Sequence, residues 1–442
     1  MIPSSMTAPE TTERAPIKRA PRAPAPSLVV LYAPQGASRT SIDVDVPRTI
    51  GRAGGGADLE LNDNRVSRLH VTVTRAGSGV VLLDSSTNGT FVEGRRVQSA
   101  TAEDGDVVRV GESFLLVRAE HDDADDADVP GLSGVSRAMR ALRTEVALVA
   151  RSMAPVVILG ESGTGKELVA RAIHALSKRP GELVPVNCAA IPETLAESTL
   201  FGHVAGSFTG AKSDSPGLFR AAHRGTLFLD EIGEIPAVVS AKLLRVLEDG
   251  VVAPVGSTRG TPVDVRVVAA THRELGADVV SGKFRGDLYA RLAAIVVRTP
   301  PLRERREDIL PLLTRALEGA GHDARVPLDG DLVEALLLHP WRFNVRELLR
   351  VAEELALRGR GKARLDLELV ASRLEPLARD EASAPVSERP SDGPDQESPS
   401  AEQVRELWER HGGNVTRIAR ALGRSRRQVA RYLDAQGLRA KD

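Results

Sequence analysis

The chain has 442 residues, 42% of them hydrophobic and 27% charged, with a formal net charge of −1, an ordinary composition for soluble globular protein and a length that suggests about three domains. No run of about 18 apolar residues occurs, which argues against a transmembrane helix and a membrane partner. The single cysteine, Cys188, excludes an internal disulfide and suits a reducing, cytoplasmic setting, where it reads as a small buried apolar side chain.

Residues 1–25 are rich in Pro, Ala and charge and lack an apolar stretch, so they read as a disordered tail and not a signal peptide. Residues 26–120 follow as an all-β block. "SLVVLY", "SIDVDV", "LHVTVT", "GVVLLD", "TFVEGRRV" and "VVRVGESFLLVRA" are short β-branched runs parted by turn residues, the pattern of a sandwich. Its connections carry "TIGR" (Gly51, Arg52), "VSRLH" (Ser67 to His70) and "STNGT" (Thr87, Asn88). Arg52 offers a bidentate phosphate contact, and Ser67 and Arg68 add a hydroxyl and a second charge. The three stretches together resemble a forkhead-associated (FHA) domain. That resemblance implies binding of a phosphothreonine, on a partner protein or on another copy of this chain, by Arg52, Ser67, Arg68, Thr87 and Asn88, with His70 bracing the loops. An input from serine/threonine kinase signalling follows from it.

The acidic run "HDDADDADVP" at 121–130 reads as a linker. From 131 to 377 strands alternate with helices, which predicts a parallel α/β sheet, and the segment becomes helical from about residue 304. "PVVIL" precedes "GESGTGKE", which opens the amphipathic "ELVARAIHALS". This strand–glycine loop–helix order lets backbone N–H groups of Gly160, Glu161, Ser162, Gly163, Thr164 and Gly165 wrap phosphates, with Lys166 reaching the β- and γ-phosphates. Glu167 stands where a P-loop usually places a Mg²⁺-binding hydroxyl. "GTLFLDE" supplies the alternative: Asp230 can hold Mg²⁺ through water and Glu231 can orient or deprotonate the attacking water. ATP and Mg²⁺ are therefore the expected cofactors.

These motifs resemble the AAA+ domain of bacterial enhancer-binding proteins, the activators of sigma-54 RNA polymerase, whose P-loop carries the same glutamate. The resemblance implies five further roles. Asn187 in "VNCAA" holds and releases the catalytic glutamate. Thr271 and His272 in "VVAATHREL" form sensor I, with His272 where Asn is usual. Arg285 and Arg291 in "FRGDLYARL" reach the γ-phosphate of a neighbouring subunit in a hexameric ring. Arg346 in "HPWRFNVREL" touches nucleotide, although Arg342-Phe343 replaces the usual Pro-Gly. The "GSFTGA" loop, Gly206, Ser207, Phe208, Thr209, Gly210 and Ala211, contacts sigma-54, its glycines permitting the loop to change shape.

Residues 378–399 are a second Pro-, Ser- and acid-rich linker, and 400–442 are basic. "GGNVTRIARALGRSRRQVARYLDAQGL" resembles the factor-for-inversion-stimulation-like helix-turn-helix of the same activators, with Ser425 as N-cap and Arg426, Arg427, Gln428 and Arg431 facing enhancer DNA. The expected fold class is multidomain: an all-β FHA sandwich, an α/β AAA+ P-loop ATPase with a helical lid, and a small all-α helix-turn-helix. A general protein remodeller and a non-enzymatic scaffold are the competing readings; the "GSFTGA" loop opposes the first and the intact Lys166, Asp230 and Glu231 oppose the second.

Overall fold

The computed structural model describes residues 25–119, 126–208, 211–323, 326–374 and 408. The residues expected to form the N-terminal tail, the second linker and the DNA-contacting helices lie outside these, so Ser425, Arg426, Arg427, Gln428 and Arg431 have no structural account.

The front block is a two-sheet sandwich built from β1 (Ser27–Tyr32), β2 (Ser41–Asp43), β3 (Arg48–Arg52), β4 (Leu59–Leu61), β5 (Val71–Ala76), β6 (Gly79–Asp84), β7 (Thr90–Val92), β8 (Arg95–Val97), β9 (Ser99–Ala102), β10 (Val107–Val110) and β11 (Ser113–Arg118). One sheet runs β2-β1-β11-β10-β7-β8 and the other β4-β3-β5-β6-β9. Alternate residues point inward: Val71 and Val73, Val80 and Leu82, and Leu115 and Val117 share one buried core. All six expected strand runs are present, one of them as the β7–β8 hairpin and another as the β10–β11 hairpin. Three strands escaped the sequence reading. β3 is interrupted by Gly51, and β4 and β9 are short, so none shows a clear period of two.

The central block opens with α1 (Arg137–Ala150), β12 (Val156–Leu159), α2 (Lys166–Ser177), β13 (Leu183–Asn187), α3 (Glu193–Phe201), α4 (Leu218–Ala221), β14 (Thr226–Asp230) and α5 (Ala237–Asp249). It continues through the hairpin β15 (Val251–Val252) and β16 (Thr261–Pro262) to β17 (Arg266–Thr271), α6 (Leu275–Val280), α7 (Gly286–Leu292) and β18 (Ile295–Arg298). The main sheet is parallel, in the order β13-β14-β17-β12-β18. Its central strands β12, β14 and β17 are buried nearly throughout, because helices cover both faces of a parallel sheet. These are the three strands the apolar runs marked. The two unmarked strands are the edges, and β13 carries Pro185, which an edge tolerates because it lacks a ladder N–H. Buried Arg266 donates to the carbonyls of Val149 and Ala150, at 2.8 and 3.1 Å, and so closes the C-terminus of α1.

Two short 3₁₀ turns, Leu302–Glu304 and Arg306–Asp308, lead into the lid: α8 (Ile309–Gly319), α9 (Gly330–Leu338), α10 (Asn344–Arg358) and α11 (Ala371–Leu374). Asp308, fully buried, accepts from the Val135 and Ser136 N–H groups and the Ser136 hydroxyl at 2.6–2.9 Å, pinning the lid's start to the N-cap of α1.

Candidate functional site

The loop Gly160–Gly165 joins β12 to α2, and Gly163 and Gly165 take φ of +80° and +103°, a region costly for other residues. Close approach adds a second demand. A Cβ on Gly160 would lie 1.9 Å from the Thr299 hydroxyl, and one on Gly163 would lie 2.1 Å from the Phe343 carbonyl. The loop is thus clamped between the sheet and the start of α10. Lys166 is buried at the head of α2, its Nζ donating to the Gly160 and Glu161 carbonyls at 2.8 and 3.2 Å. Burial draws its pKa below the ordinary lysine value, against the opposing charges of Glu231 and Asp230. An anion in the cavity would relieve that penalty.

Asp230 ends β14 on the same side of the sheet, its pKa raised by burial and by the adjoining Glu231 charge. Glu231 follows with φ +52°, a left-handed conformation that carries strain for a non-glycine residue. Its Oε2 accepts from His272 Nδ1 at 2.8 Å. Asn187, expected to hold this glutamate, instead accepts the Ala189 N–H at 3.0 Å; the glutamate's partner here is His272. Thr271 is buried at the end of β17, accepting the Arg273 N–H.

Lid residues complete the cavity. Arg346, expected to touch nucleotide, donates to the Ser162 hydroxyl at 3.1 Å and lines the cavity. The Arg342-Phe343 departure is absorbed by left-handed Trp341 (φ +48°) and Asn344 (φ +52°). Asn344, unremarked in the sequence reading, is fully buried and donates to the Ser162 carbonyl and the Glu161 carboxylate while accepting the Leu302 N–H. Arg303 pairs with Glu161 at 2.6 Å, holding that carboxyl below its usual range, and buried Arg305 donates to the Thr164 carbonyl at 3.2 Å. The resulting cavity is about 1030 Å³ and is lined by the P-loop with Lys166 and Glu167, Asn187, Asp230, Glu231, Arg305 and Arg346.

No group of three or more metal-ligating side chains occurs among the described residues. That donor set fits Mg²⁺ held by one carboxylate together with a ligand's phosphate oxygens, and does not fit an all-protein cage. Cys188 lies buried nearby, its thiol pushed up to about 12 chiefly by burial, as expected of an inert apolar side chain.

The second cluster lies at one end of the sandwich. Arg52 closes β3, and its N–H bonds the Ser67 carbonyl at 2.9 Å. Gly51 is obligatory at this crossing, since a Cβ would lie 1.9 Å from the Arg68 carbonyl. The Ser67 hydroxyl accepts the Thr87 N–H at 3.2 Å, and the Asn88 amide donates to the Arg65 carbonyl at 2.7 Å. Buried His70 accepts the Ser67 N–H at Nδ1, which leaves its proton on Nε2 to donate to the Gly89 carbonyl, each at 3.1 Å. Burial holds this imidazole below the ordinary histidine pKa. Arg52 is half-buried and Arg68 exposed, and among the described residues neither guanidinium has an ion-pair partner.

Residues 132–298 match the sigma-54 interaction domain, 48–111 the FHA domain and 303–385 the AAA+ ATPase lid domain. The chain is 43% identical over 306 residues to the regulatory protein AtoC of Escherichia coli, covering 67% of this chain and 66% of that protein. It is 52% identical over 206 residues to the hydrogenase transcriptional regulatory protein HoxA of Cupriavidus necator, covering 46% and 43%. The crystal structure of NtrX from Brucella abortus in complex with ADP aligns at a TM-score of 0.51 and 33% identity over 70% of each chain. The chain belongs to the sigma-54 activator family. It spans between about two fifths and two thirds of the two curated relatives.

In this member of the family the "GSFTGA" loop follows α3. Gly206 has φ +80°, and its N–H bonds the Ala211 carbonyl at 2.8 Å. Ser207 packs on Gly256, and Ala211 is buried. Phe208 is 37% exposed, its ring set edge-on to His203 at 5.0 Å; Thr209 and Gly210 lie outside the described residues. Arg285 is the N-cap of α7 and pairs with Asp287 at 2.6 Å, holding that carboxyl at about 2. Arg291 donates to the Leu247 carbonyl at 3.3 Å. Neither arginine lines its own chain's nucleotide cavity. Among the described residues no helix is long and apolar enough to cross a membrane.

Proposed function

We propose that this chain is an ATP-driven activator of sigma-54 RNA polymerase, working in the cytoplasm as a hexameric ring and controlled by phosphothreonine capture at its FHA domain. The observation that carries the reading is the convergence of Lys166, Asp230, Glu231 and the lid's Arg346 on one cavity. Backbone N–H groups of residues 160–165 and the N-terminus of α2 would take the β-phosphate, and Lys166 would swing from its own loop carbonyls to the γ-phosphate. Asp230 would hold Mg²⁺, which when bound supplies charge neutralisation across the β- and γ-oxygens. Glu231 would leave His272 to orient the attacking water, with Asn187 as the family's alternative restraint and Thr271 shaping the sensor strand end. Arg285 and Arg291 of a neighbouring protomer would stabilise the charge that develops on the transferred phosphoryl group.

The output would be the loop Gly206–Ala211. An aromatic ring that is more than a third exposed, on a hinge of glycines, is suited to being covered by a protein partner. The tail's Ser425, Arg426, Arg427, Gln428 and Arg431 would tether the ring to enhancer DNA. At the front, Arg52 and Arg68 would bind the phosphate while Ser67, Thr87 and Asn88 hold the peptide backbone. Thr209→Ala is expected to preserve ATP hydrolysis and abolish promoter-specific transcription with purified sigma-54 polymerase. Matched loss of both activities would refute the loop's role, and Lys166→Ala hydrolysing ATP normally would refute the motor.

A further inference from the structure

The outer face of the FHA sheet is not solvated. β11 is buried from Ser113 to Val117. Its alternate residues Leu115 and Val117 fill the sandwich, whereas Phe114 and Leu116 join Val107 in a single core with Leu302, Ile309, Leu332 and Leu336 of the lid. The Tyr32 hydroxyl donates to the Leu328 carbonyl at 2.9 Å. Ion pairs ring this patch: Arg109 with Asp331 and Glu334, Arg118 with Glu307, Arg306 with Glu93, and Arg364 with Glu112. An apolar centre with paired charges around it is the anatomy of a built interface, not of a tethered domain touching its neighbour.

The segment between the sheet and α8 is shared. Arg303 and Arg305 face the P-loop, binding the Glu161 carboxylate and the Thr164 carbonyl. The next two residues face the FHA domain: Arg306 binds Glu93 and the Gly105 carbonyl, and Glu307 binds Arg118. Asp308 then anchors to α1. Five of the six residues 303–308 thus bind the nucleotide loop, the FHA domain and the first helix of the ATPase. On the far side, Glu112 in the β10–β11 turn pairs with Arg364 of the lid at 2.9 Å and with Arg65 at 3.2 Å. Asp63, at the base of the loop that carries Ser67 and Arg68, binds the Arg65 and Glu112 N–H groups and the Ser113 hydroxyl at 2.7–3.0 Å.

We propose that the FHA domain is a fixed clamp on the ATPase lid, and that its docking through residues 303–307 sets the affinity of the P-loop cavity for nucleotide. Docked, the FHA domain holds Arg306 and Glu307, and with them keeps Arg303 and Arg305 closed on the P-loop. Undocked, the segment loses its outer anchors and the cavity loosens. A phosphopeptide that moves the Ser67 loop acts on the same contact through Asp63 and Glu112, so the two phosphate sites are linked reciprocally. This deepens the reading above, resting on its nucleotide site.

The test reverses the Arg118–Glu307 pair in the full chain and titrates a fluorescent ADP analogue, since neither residue lines the nucleotide cavity. Arg118→Glu and Glu307→Arg are each expected to weaken ADP binding by about fivefold or more. The double reversal is expected to restore most of it, because a single reversal sets two like charges against each other in a half-buried pair and reversing both restores opposite charges. Circular dichroism and thermal unfolding check folding, and the double variant remains informative if a single one unfolds. Single variants that fold and bind ADP as wild type would overturn the clamp, as would a double variant that folds without recovering affinity. A wild-type chain that fails to bind ADP would instead strike the nucleotide site itself.

Discussion

The chain carries two candidate phosphate sites, and they are built from opposite materials. The P-loop site is made of backbone: left-handed glycines, a helix N-terminus and one buried lysine whose pKa burial lowers. The FHA site is made of side chains on loops, with Arg68 exposed and Arg52 half-buried, and its rigidity comes from His70 beneath them. A backbone cradle suits a small ligand that is enclosed and whose charge shifts between its oxygens in a transition state. An open pair of guanidiniums suits a phosphate that arrives attached to a chain, because the flanking peptide needs room. The two sites also differ in self-sufficiency, since Arg285 and Arg291 lie away from their own cavity and would complete a neighbour's.

Substitutions should separate the two sites. The largest effect is expected from Arg285→Ala or Arg291→Ala: hydrolysis falls by about 10³-fold or more with ADP-analogue affinity preserved, measured by steady-state ATPase and fluorescence titration. Unchanged hydrolysis would remove the neighbour's contribution and make the ATP site as self-contained as the FHA site. Lys166→Ala should lower hydrolysis by about 100-fold or more without touching phosphothreonine-peptide binding. Arg52→Ala should do the reverse, weakening a phosphothreonine peptide about tenfold or more with basal ATPase intact, since hydrogen bonds to charged groups contribute roughly 1.5–3 kcal/mol.

Both sites depend on a glycine at a close crossing, which allows a matched pair of variants. Gly51→Ala drives a Cβ against the Arg68 carbonyl and Gly163→Ala drives one against the Phe343 carbonyl. Each should destabilise its own domain by about 1–3 kcal/mol, read as a lowered Tm, with Gly163→Ala hurting ADP affinity more than peptide affinity and Gly51→Ala peptide affinity more than ADP affinity. The smallest effect concerns pH. His70 is held neutral by burial, so the unfolded chain binds the extra proton first and stability rises with pH across the histidine range. The Tm of the wild type should drop as pH falls below the ordinary histidine value of about 6.5, and His70→Gln should flatten that dependence.

Legibility in the sequence followed the same division. Features confined to a contiguous stretch were readable as structure: the glycine loop between β12 and α2, the Asp230–Glu231 pair at the end of β14, and the three loop stretches at one end of the sandwich. Contacts made by a residue whose partner is remote in sequence were not. Asn344 was visible only as part of a lid motif, although its side chain binds Glu161 and Ser162 far upstream. The contact between His272 and Glu231 spans 41 positions, and nothing local to either residue announces it. The edge strands β13 and β18 were missed although each carries a short apolar stretch, "LVPV" and "IVV".

One signal was present and unused. "SFLLV" is apolar on both faces, and a half-solvated sandwich strand alternates; a strand apolar on both sides must be covered twice. The amino-acid sequence therefore determined that this chain has a glycine-rich loop between a strand and a helix, a pair of acids at a strand end and a sandwich with cationic loops, because each depends on spacing along a few residues. Only the tertiary structure decided that Phe114 and Leu116 face the lid, and that residues 303–307 touch both the P-loop and the FHA domain. Those pairings are set by how surfaces of unrelated segments fit and exclude water, which no local pattern encodes.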